Sequence, residues 1–170
     1  ATRLVEQLLS MARHESAVGQ TAPEAVDLAD VLRQALSEML PQANAKAISI
    51  DLDGAPQARV QGQRDALTLL ARNLLDNAIK YTPAGKRIHL HLEQQPGAAV
   101  LLIDDEGPGI APEERERVFD RFYRVEGNTQ HGSGLGLAIA RAIADQHRAT
   151  IELQDAPSGP GLRVKVVFPA

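Results

Sequence analysis

Asn73-Leu74-Leu75-Asp76-Asn77-Ala78-Ile79-Lys80-Tyr81 closes a helix whose spacing predicts it over about 63–81. On a helical wheel Leu67, Leu70, Ala71, Leu74, Leu75 and Ala78 fill one side. Asn73, Asn77 and Lys80 fall within roughly 60° of one another on the other side. Asparagine is a poor interior helix former, because its amide competes for backbone hydrogen bonds. Two asparagines one turn apart on one face therefore want a reason. An amide oxygen is a hard, neutral ligand suited to Mg²⁺, which keeps most of its waters and shares phosphate oxygens. Lys80 reaches a phosphate as a point charge. Taken alone, the same pattern also reads as a solvated helix face.

Three further motifs follow in a fixed order. Asp105-Glu106-Gly107-Pro108-Gly109 leaves the apolar run Val100-Leu101-Leu102-Ile103. A carboxylate at a strand end, with glycines that let a flat ring approach, suits an adenine amino group. Alone, it reads as an aspartate capping a glycine turn. Phe119-Asp120-Arg121-Phe122 comes next, with both phenylalanines expected as core that anchors a lid. Arg121 and Arg124 border a glycine-containing stretch, 124–134, expected to be a mobile loop. As isolated residues they read as solvated surface; beside a lid they can swing onto a terminal phosphate. Finally, Gly132-Ser133-Gly134-Leu135-Gly136-Leu137 opens a helix, where free amides bind phosphate. Gly127 to Gly132-Ser133 has the spacing of a P-loop, but Ser133 stands where that motif needs lysine. Gly132, Gly134 and Gly136 are spaced G-x-G-x-G, and no strand precedes the helix as a dinucleotide fold requires.

The rest of the chain frames these motifs. With 170 residues it can bury one good core, and 44% hydrophobic with 24% charged residues is ordinary for a globular protein. A net charge of −4 argues against broad nucleic-acid binding, and the lack of cysteine excludes disulfides and thiolate metal sites. No apolar run is long enough to span a bilayer as a helix. Helices are expected at 2–15, 28–40 (with Pro41 disrupting its end) and 135–147, and a short one near 112–118. Strands are expected at 48–52, 58–61, 88–93, 100–104, 149–154 and 162–168. This mixed order suggests a two-layer α/β sandwich. The five histidines are expected to form no metal site. His89 and His91 alternate with Ile88, Leu90 and Leu92 and are expected on the solvated face of a strand. His147 is expected at a helix C-terminus, where a positive charge is favourable. His131 falls in the loop.

These residues resemble the catalytic and ATP-binding domain of bacterial sensor histidine kinases, within the wider GHKL ATPase superfamily. The resemblance covers about residues 26–168, and the four motifs stand in the family's order. It implies the Bergerat α/β sandwich: a mixed sheet covered on one face by helices, with ATP between a helix and a lid. Residue by residue, it implies Asn77 as the Mg²⁺ ligand and Asn73 as its partner. Lys80 and Tyr81 match the Lys-Tyr that flanks the phosphates. Asp105 matches the adenine-binding aspartate, and Gly107 and Gly109 shape that pocket. Arg124 matches a lid arginine that reaches the γ-phosphate. Gly132, Gly134 and Gly136 match the lid's closing hinge, with Ser133 and Leu135 in the same nucleotide-binding stretch. Asn73, Lys80 and Arg124 are thus the residues expected to act in catalysis. One departure is Gln146-His147-Arg148, where the family usually has His-Gly-Gly; the helix is expected to lack its glycine cap.

The same resemblance implies the wider organisation. Residues 1–15 are expected to be the C-terminal remnant of a dimerisation and phosphoacceptor helix, 16–25 a linker, and 26–170 the catalytic domain. The chain starts Ala1-Thr2-Arg3 within a helical pattern, so a longer protein is expected. His14-Glu15 superficially resembles the family's His-Glu, but Ser16-Ala17 follows instead of a basic residue and Thr/Ser-Pro; it is rejected as acceptor. ATP and Mg²⁺ are the expected ligands. The expected partners are the protein's own dimerisation domain and a response regulator, with no nucleic acid; the full-length protein is expected to be a homodimer in the bacterial inner membrane, with this domain in the cytoplasm. The expected reaction is transfer of the ATP γ-phosphoryl group to a histidine on the separate domain. The alternatives are a regulatory ATP-binding module and an ATP hydrolase. Hydrolases of the superfamily place a glutamate where this chain has Asn73, and an amide cannot act as that base.

Overall fold

The computed structural model describes residues 22–123, 135–157 and 159–169. The expected helix at 2–15, the phosphoacceptor-like His14, the loop at 124–134 and, with it, Arg124, Gly132, Ser133 and Gly134 lie outside the described residues.

The chain opens with β1 (Glu24–Asp27), α1 (Leu28–Ala45), β2 (Ser49–Gly54) and β3 (Arg59–Gly62). Then come α2 (Arg64–Tyr81), β4 (Arg87–Gln95) and β5 (Ala98–Asp105). Two 3-10 turns, Pro112–Glu114 and Arg117–Phe119, replace the single short helix expected there. α3 (Gly136–Gln146), β6 (Thr150–Asp155) and β7 (Leu162–Pro169) complete the described chain. The main sheet runs β2-β4-β5-β7-β6, and β1 pairs with β3 in a separate ribbon. β2 and β4 are parallel and the other pairs antiparallel, so the sheet is mixed as the resemblance implies.

Alternation decides which face is covered. Ile88, Leu90 and Leu92 of β4, Leu101 and Ile103 of β5, and Val164, Val166 and Phe168 of β7 are buried. They form one core with Leu32, Leu67, Leu70, Leu74 and Ile139 from the three helices. The intervening residues face away from the helices, as period-2 side-chain alternation requires. α2 packs between α1 and α3, which sets its asparagine-bearing edge against the start of α3.

Two boundaries differ from the periodicity. α1 runs through Pro41 to Ala45 rather than stopping before it. Proline deletes one helical hydrogen bond and crowds the preceding turn; the helix nonetheless continues until Ala43, fully buried, is seated in the core. β1 starts at Glu24, so the folded domain includes two residues that read as linker. In sequence the strand is hidden because its partner, β3, lies far along the chain. Asp27 fixes the junction: its Oδ1 accepts from Ala29 N and Ala58 N, both at 3.0 Å.

The C-terminus of α3 shows what replaces a glycine cap. Arg148 takes the left-handed conformation usually left to glycine, at φ 56°. His147 Nε2 accepts from Gln63 N at 3.1 Å, and its Nδ1 lies 2.8 Å from Ile143 O. That pair of bonds needs a neutral ring with its proton on Nδ1. The expected favourable charge at this helix end is therefore replaced by a hydrogen-bonded tie to the start of α2.

Candidate nucleotide site

Asp105 ends β5 and is only 6% exposed. Its Oδ1 accepts from Gly107 N at 2.9 Å and from Leu162 N at 3.2 Å. Oδ2 takes no hydrogen bond from the described residues. One oxygen is thus spent on holding the loop and the other is left for a donor from outside. Burial raises the carboxyl's pKa above its ordinary value. The amides of Gly107 and Leu162 pull the other way, and neighbouring Asp104 adds a smaller upward push. Asp104 itself is held by Arg163 through two bonds of 2.7 and 2.8 Å.

The glycines around Asp105 sit where a side chain would collide or where the backbone turns at positive φ. A Cβ on Gly107 would lie 2.6 Å from Tyr81 O, so this loop is pressed onto the end of α2. Gly109 has φ +75° and would put a Cβ 3.0 Å from Gly161 O. Gly161 escapes a reading of the sequence, where it belongs to a plain turn. It has φ +147°, and a Cβ there would come 2.1 Å from Asp105 O. The signal is nonetheless present: a glycine just before an alternating strand often marks a close backbone approach.

The other half of the site rises from α2. Asn73 is 8% exposed, donates from Nδ2 to Leu69 O at 3.0 Å, and so presents Oδ1 outward. A Cβ on Gly136 would sit 3.4 Å from that Oδ1, so the first residue of α3 lies directly over Asn73. Asn77, one turn on, is half-buried and makes no side-chain hydrogen bond among the described residues. Lys80 Nζ lies 3.0 Å from Asp76 Oδ2. In sequence Asp76 is a mere letter of the motif; in the fold its carboxylate holds the Lys80 ammonium one helical turn back. Tyr81 is half-buried at the end of α2.

A second residue the sequence conceals is Lys46. Its Nζ donates to Ile79 O at 2.8 Å and to Lys80 O at 3.1 Å. These are carbonyls of the last turn of α2, which have no partner within the helix. The ammonium satisfies them and sits at the negative end of the helix dipole.

Ahead of the 124–134 stretch, Phe119 is buried, with the Arg141 guanidinium 4.5 Å from its ring centroid. Phe122, expected as core, is instead 52% exposed with φ 66°. A left-handed backbone here swings its side chain off the helical layer. Leu135 is fully buried, and Gly136 follows as the first residue of α3. The structure therefore brings Asn73, Asn77, Lys80, Tyr81 and Gly136 together along α2 and α3. Asp105, Gly107 and Gly109 gather at the adjoining strand end.

A mixed sheet under three helices, with a buried carboxylate at one strand end and two asparagines on the central helix, is the arrangement that the resemblance to the GHKL ATPases implies. The chain belongs to the family described as Histidine kinase-, DNA gyrase B-, and HSP90-like ATPase, which matches residues 62–170. It is similar to the swarming motility regulation sensor protein RssA of Serratia marcescens, at 37% identity over 99% of the chain and 36% of RssA. It is also similar to the sensor protein QseC of Escherichia coli strain K12, at 38% identity over 98% of the chain and 36% of QseC. The chain thus spans about a third of the length of these curated relatives. Among solved structures, the mycobacterial sensor histidine kinase MprB superposes with a TM-score of 0.79 at 35% identity, covering 86% of this chain and 97% of MprB's. Full-length ShkA, in complex with AMPPNP, superposes with a TM-score of 0.83 at 27% identity, covering 98% of this chain and 35% of ShkA's. No helix among the described residues is long and apolar enough to cross a membrane.

Proposed function

We propose that this chain is the ATP-binding catalytic domain of a sensor histidine kinase. It transfers the γ-phosphoryl group of ATP to a histidine on the protein's own dimerisation domain, for relay to a response regulator. The observation that carries the reading is the division of labour at Asp105. Its Oδ1 is used by Gly107 and Leu162, which leaves Oδ2 to accept from the amino group of an adenine slid over Gly107 and Gly109. Tyr81 and the end of α2 close the ring's other side, and the phosphates run along α2 toward Gly136 and the lid stretch.

Each residue then has a task. Asn73 and Asn77 offer amide oxygens to the phosphate and metal region, and Lys80 a positive charge. Arg124 and the amides of Gly132, Ser133, Gly134, Leu135 and Gly136 complete the phosphate end. The half-buried Asn77 amide, without a protein partner among the described residues, fits a hard divalent ion that shares phosphate oxygens. Mg²⁺ so held would supply charge neutralisation for a transfer that depends chiefly on positioning. Asn73 donates to Leu69 O, and as an amide it has no basic form with which to activate water. That favours transfer to a protein acceptor over hydrolysis.

In the whole protein this domain is cytoplasmic, joined by a linker at about 16–25 to the last helix of a dimerisation domain, in an inner-membrane homodimer. The test is radiolabelled ATP with this chain alone, with the separate two-helix dimerisation domain, and with that domain's histidine replaced. The chain alone should not label, and the added domain should acquire slow, acid-labile, base-stable label that disappears with its histidine. Labelling of His14 in the chain alone, or ATP binding with no transfer to any dimerisation domain, would overturn the proposal.

A further inference from the structure

His89 and His91 sit on β4 two residues apart, so both project from the face of the sheet that the helices leave open. The sequence shows only this pair. The parallel register of β2 adds a third group: Asp53 lies directly across from His91, and Asp51 across from His89. The Asp53 carboxylate reaches both rings at once. Its Oδ1 is 2.5 Å from His91 Nδ1 and its Oδ2 is 3.2 Å from His89 Nε2. The three ligand atoms all lie within 4.8 Å of one another. The expectation that these histidines are merely solvated leaves out the cross-strand partner, which lies far away in sequence.

From this geometry we infer that Asp53, His89 and His91 form a binding site for a borderline divalent transition-metal ion of the Zn²⁺ type. Two imidazole nitrogens and one carboxylate oxygen are the ligand set such ions take when positions are left for water or a further ligand. In tetrahedral coordination at about 2.0–2.2 Å, neighbouring ligand atoms stand roughly 3.3 Å apart. Asp53 and His89 are already close to that spacing. His91 Nδ1 meets the other carboxylate oxygen and has to shift to share one ion, which its partly exposed ring allows. The side chains are 42%, 37% and 58% exposed for His89, His91 and Asp53, so an ion can enter without any rearrangement of the core.

The electrostatics suit a cation. Asp51, on the same face, adds negative charge, whereas Asp104 is committed to Arg163. The cluster is separate from the nucleotide site: His89 and His91 face away from the helices that carry Asn73 and Asn77. Among the described residues β2 is the edge strand of the main sheet, paired with β4. An ion bridging Asp53 to the two histidines would fasten that edge.

Calorimetric titration of the nucleotide-free chain with Zn²⁺ tests the assignment, with melting temperature as a second readout. One ion should bind, and it should raise the melting temperature, since a ligand specific to the folded state stabilises it. Loss even of an outer partner of a metal ligand costs 10–100-fold in affinity, so His91→Gln and Asp53→Asn should each weaken binding at least about tenfold. Both variants should still bind Mg-ATP like the parent, which shows that they fold. A chain with His14→Gln and His131→Gln together should bind Zn²⁺ as the parent does. Equal affinity in the parent, His91→Gln and Asp53→Asn would overturn the site, as would absence of binding by the parent.

Discussion

The Asp105 end of the nucleotide site is built from backbone, whereas the Asn73–Lys80 end is built from side chains. At the first, Gly107 and Gly161 let chain segments touch at distances no Cβ would permit, Gly109 turns at positive φ, and two amides lock Asp105 Oδ1. At the second, one helix presents two amides and an ammonium; among the described residues Asp76 holds the Lys80 ammonium and Leu69 the Asn73 amide. The first end is a mould whose shape exists before ligand arrives. The second is a set of donors and acceptors on a rigid rod. Damage to the mould should therefore cost folding and binding together, while damage to the rod's side chains should cost binding alone.

The largest effect should follow from Gly161→Val. It places a β-branched side chain at φ +147° and drives its Cβ into Asp105 O. Strain and overpacking together should cost about 2–5 kcal/mol of stability, read as a fall in melting temperature, with ATP binding lost. Gly97→Ala is the control: that hairpin glycine also has positive φ, but nothing lies within 4 Å of its Cβ. It should be the milder change and leave ATP affinity intact. If Gly161→Val melts like Gly97→Ala, the mould is not tight.

Asp105→Asn separates the two roles of one residue. The amide oxygen can still accept from Gly107 and Leu162, but an NH₂ replaces Oδ2 and faces the adenine amino group, donor to donor. ATP affinity should fall on the order of tenfold to a hundredfold. Stability should move the other way. Burial raises the Asp105 pKa in the folded state above 3.8, so the folded chain holds that proton more tightly than the unfolded one. Its stabilising contribution is complete below 3.8 and is lost as pH rises through the folded value. Asn has no such charge to bury. The variant should thus gain on the parent at neutral pH, with the gap closing as pH falls toward the ordinary carboxylate value. Denaturant unfolding of both proteins across that range measures it; a gap that widens in acid contradicts burial as the dominant cause.

At the side-chain end, Asn77→Ala should leave the melting temperature almost unchanged and weaken Mg-ATP binding by about tenfold. Calorimetry with Mg²⁺ and with chelator separates the metal's share: the variant should lose most of the gain that Mg²⁺ gives the parent. The smallest effect should come from Lys46→Met, which frees the carbonyls of Ile79 and Lys80. A loss of about 1 kcal/mol is expected, with little change in affinity.

The two ends also differ in how far the sequence discloses them. α2 is legible to within a residue, because a period of 3.6 and the breakers Pro83 and Gly85 mark it, and its two asparagines stand out against helix propensity. β4, β5, β6 and β7 are legible from alternation. What stays hidden depends on contacts distant in sequence. β1 has a strand partner only after α1 and β2 have passed. Gly161 reads as turn until Asp105 is seen beneath it. Lys46 reads as an ordinary surface lysine until its Nζ is found at the end of α2. Pro41 misleads for a different reason: a local rule for ending helices is outweighed by the packing of Ala43. Phe122 likewise follows its backbone rather than its hydropathy.

Base choice by the parent chain tests most directly that this is an adenine site read by Asp105. Guanine presents a carbonyl oxygen where adenine presents its amino group, so it would set an acceptor against Oδ2. Competition calorimetry between ATP and GTP should show GTP weaker on the order of tenfold to a hundredfold. Equal affinity for the two nucleotides would contradict an adenine site read by that carboxylate.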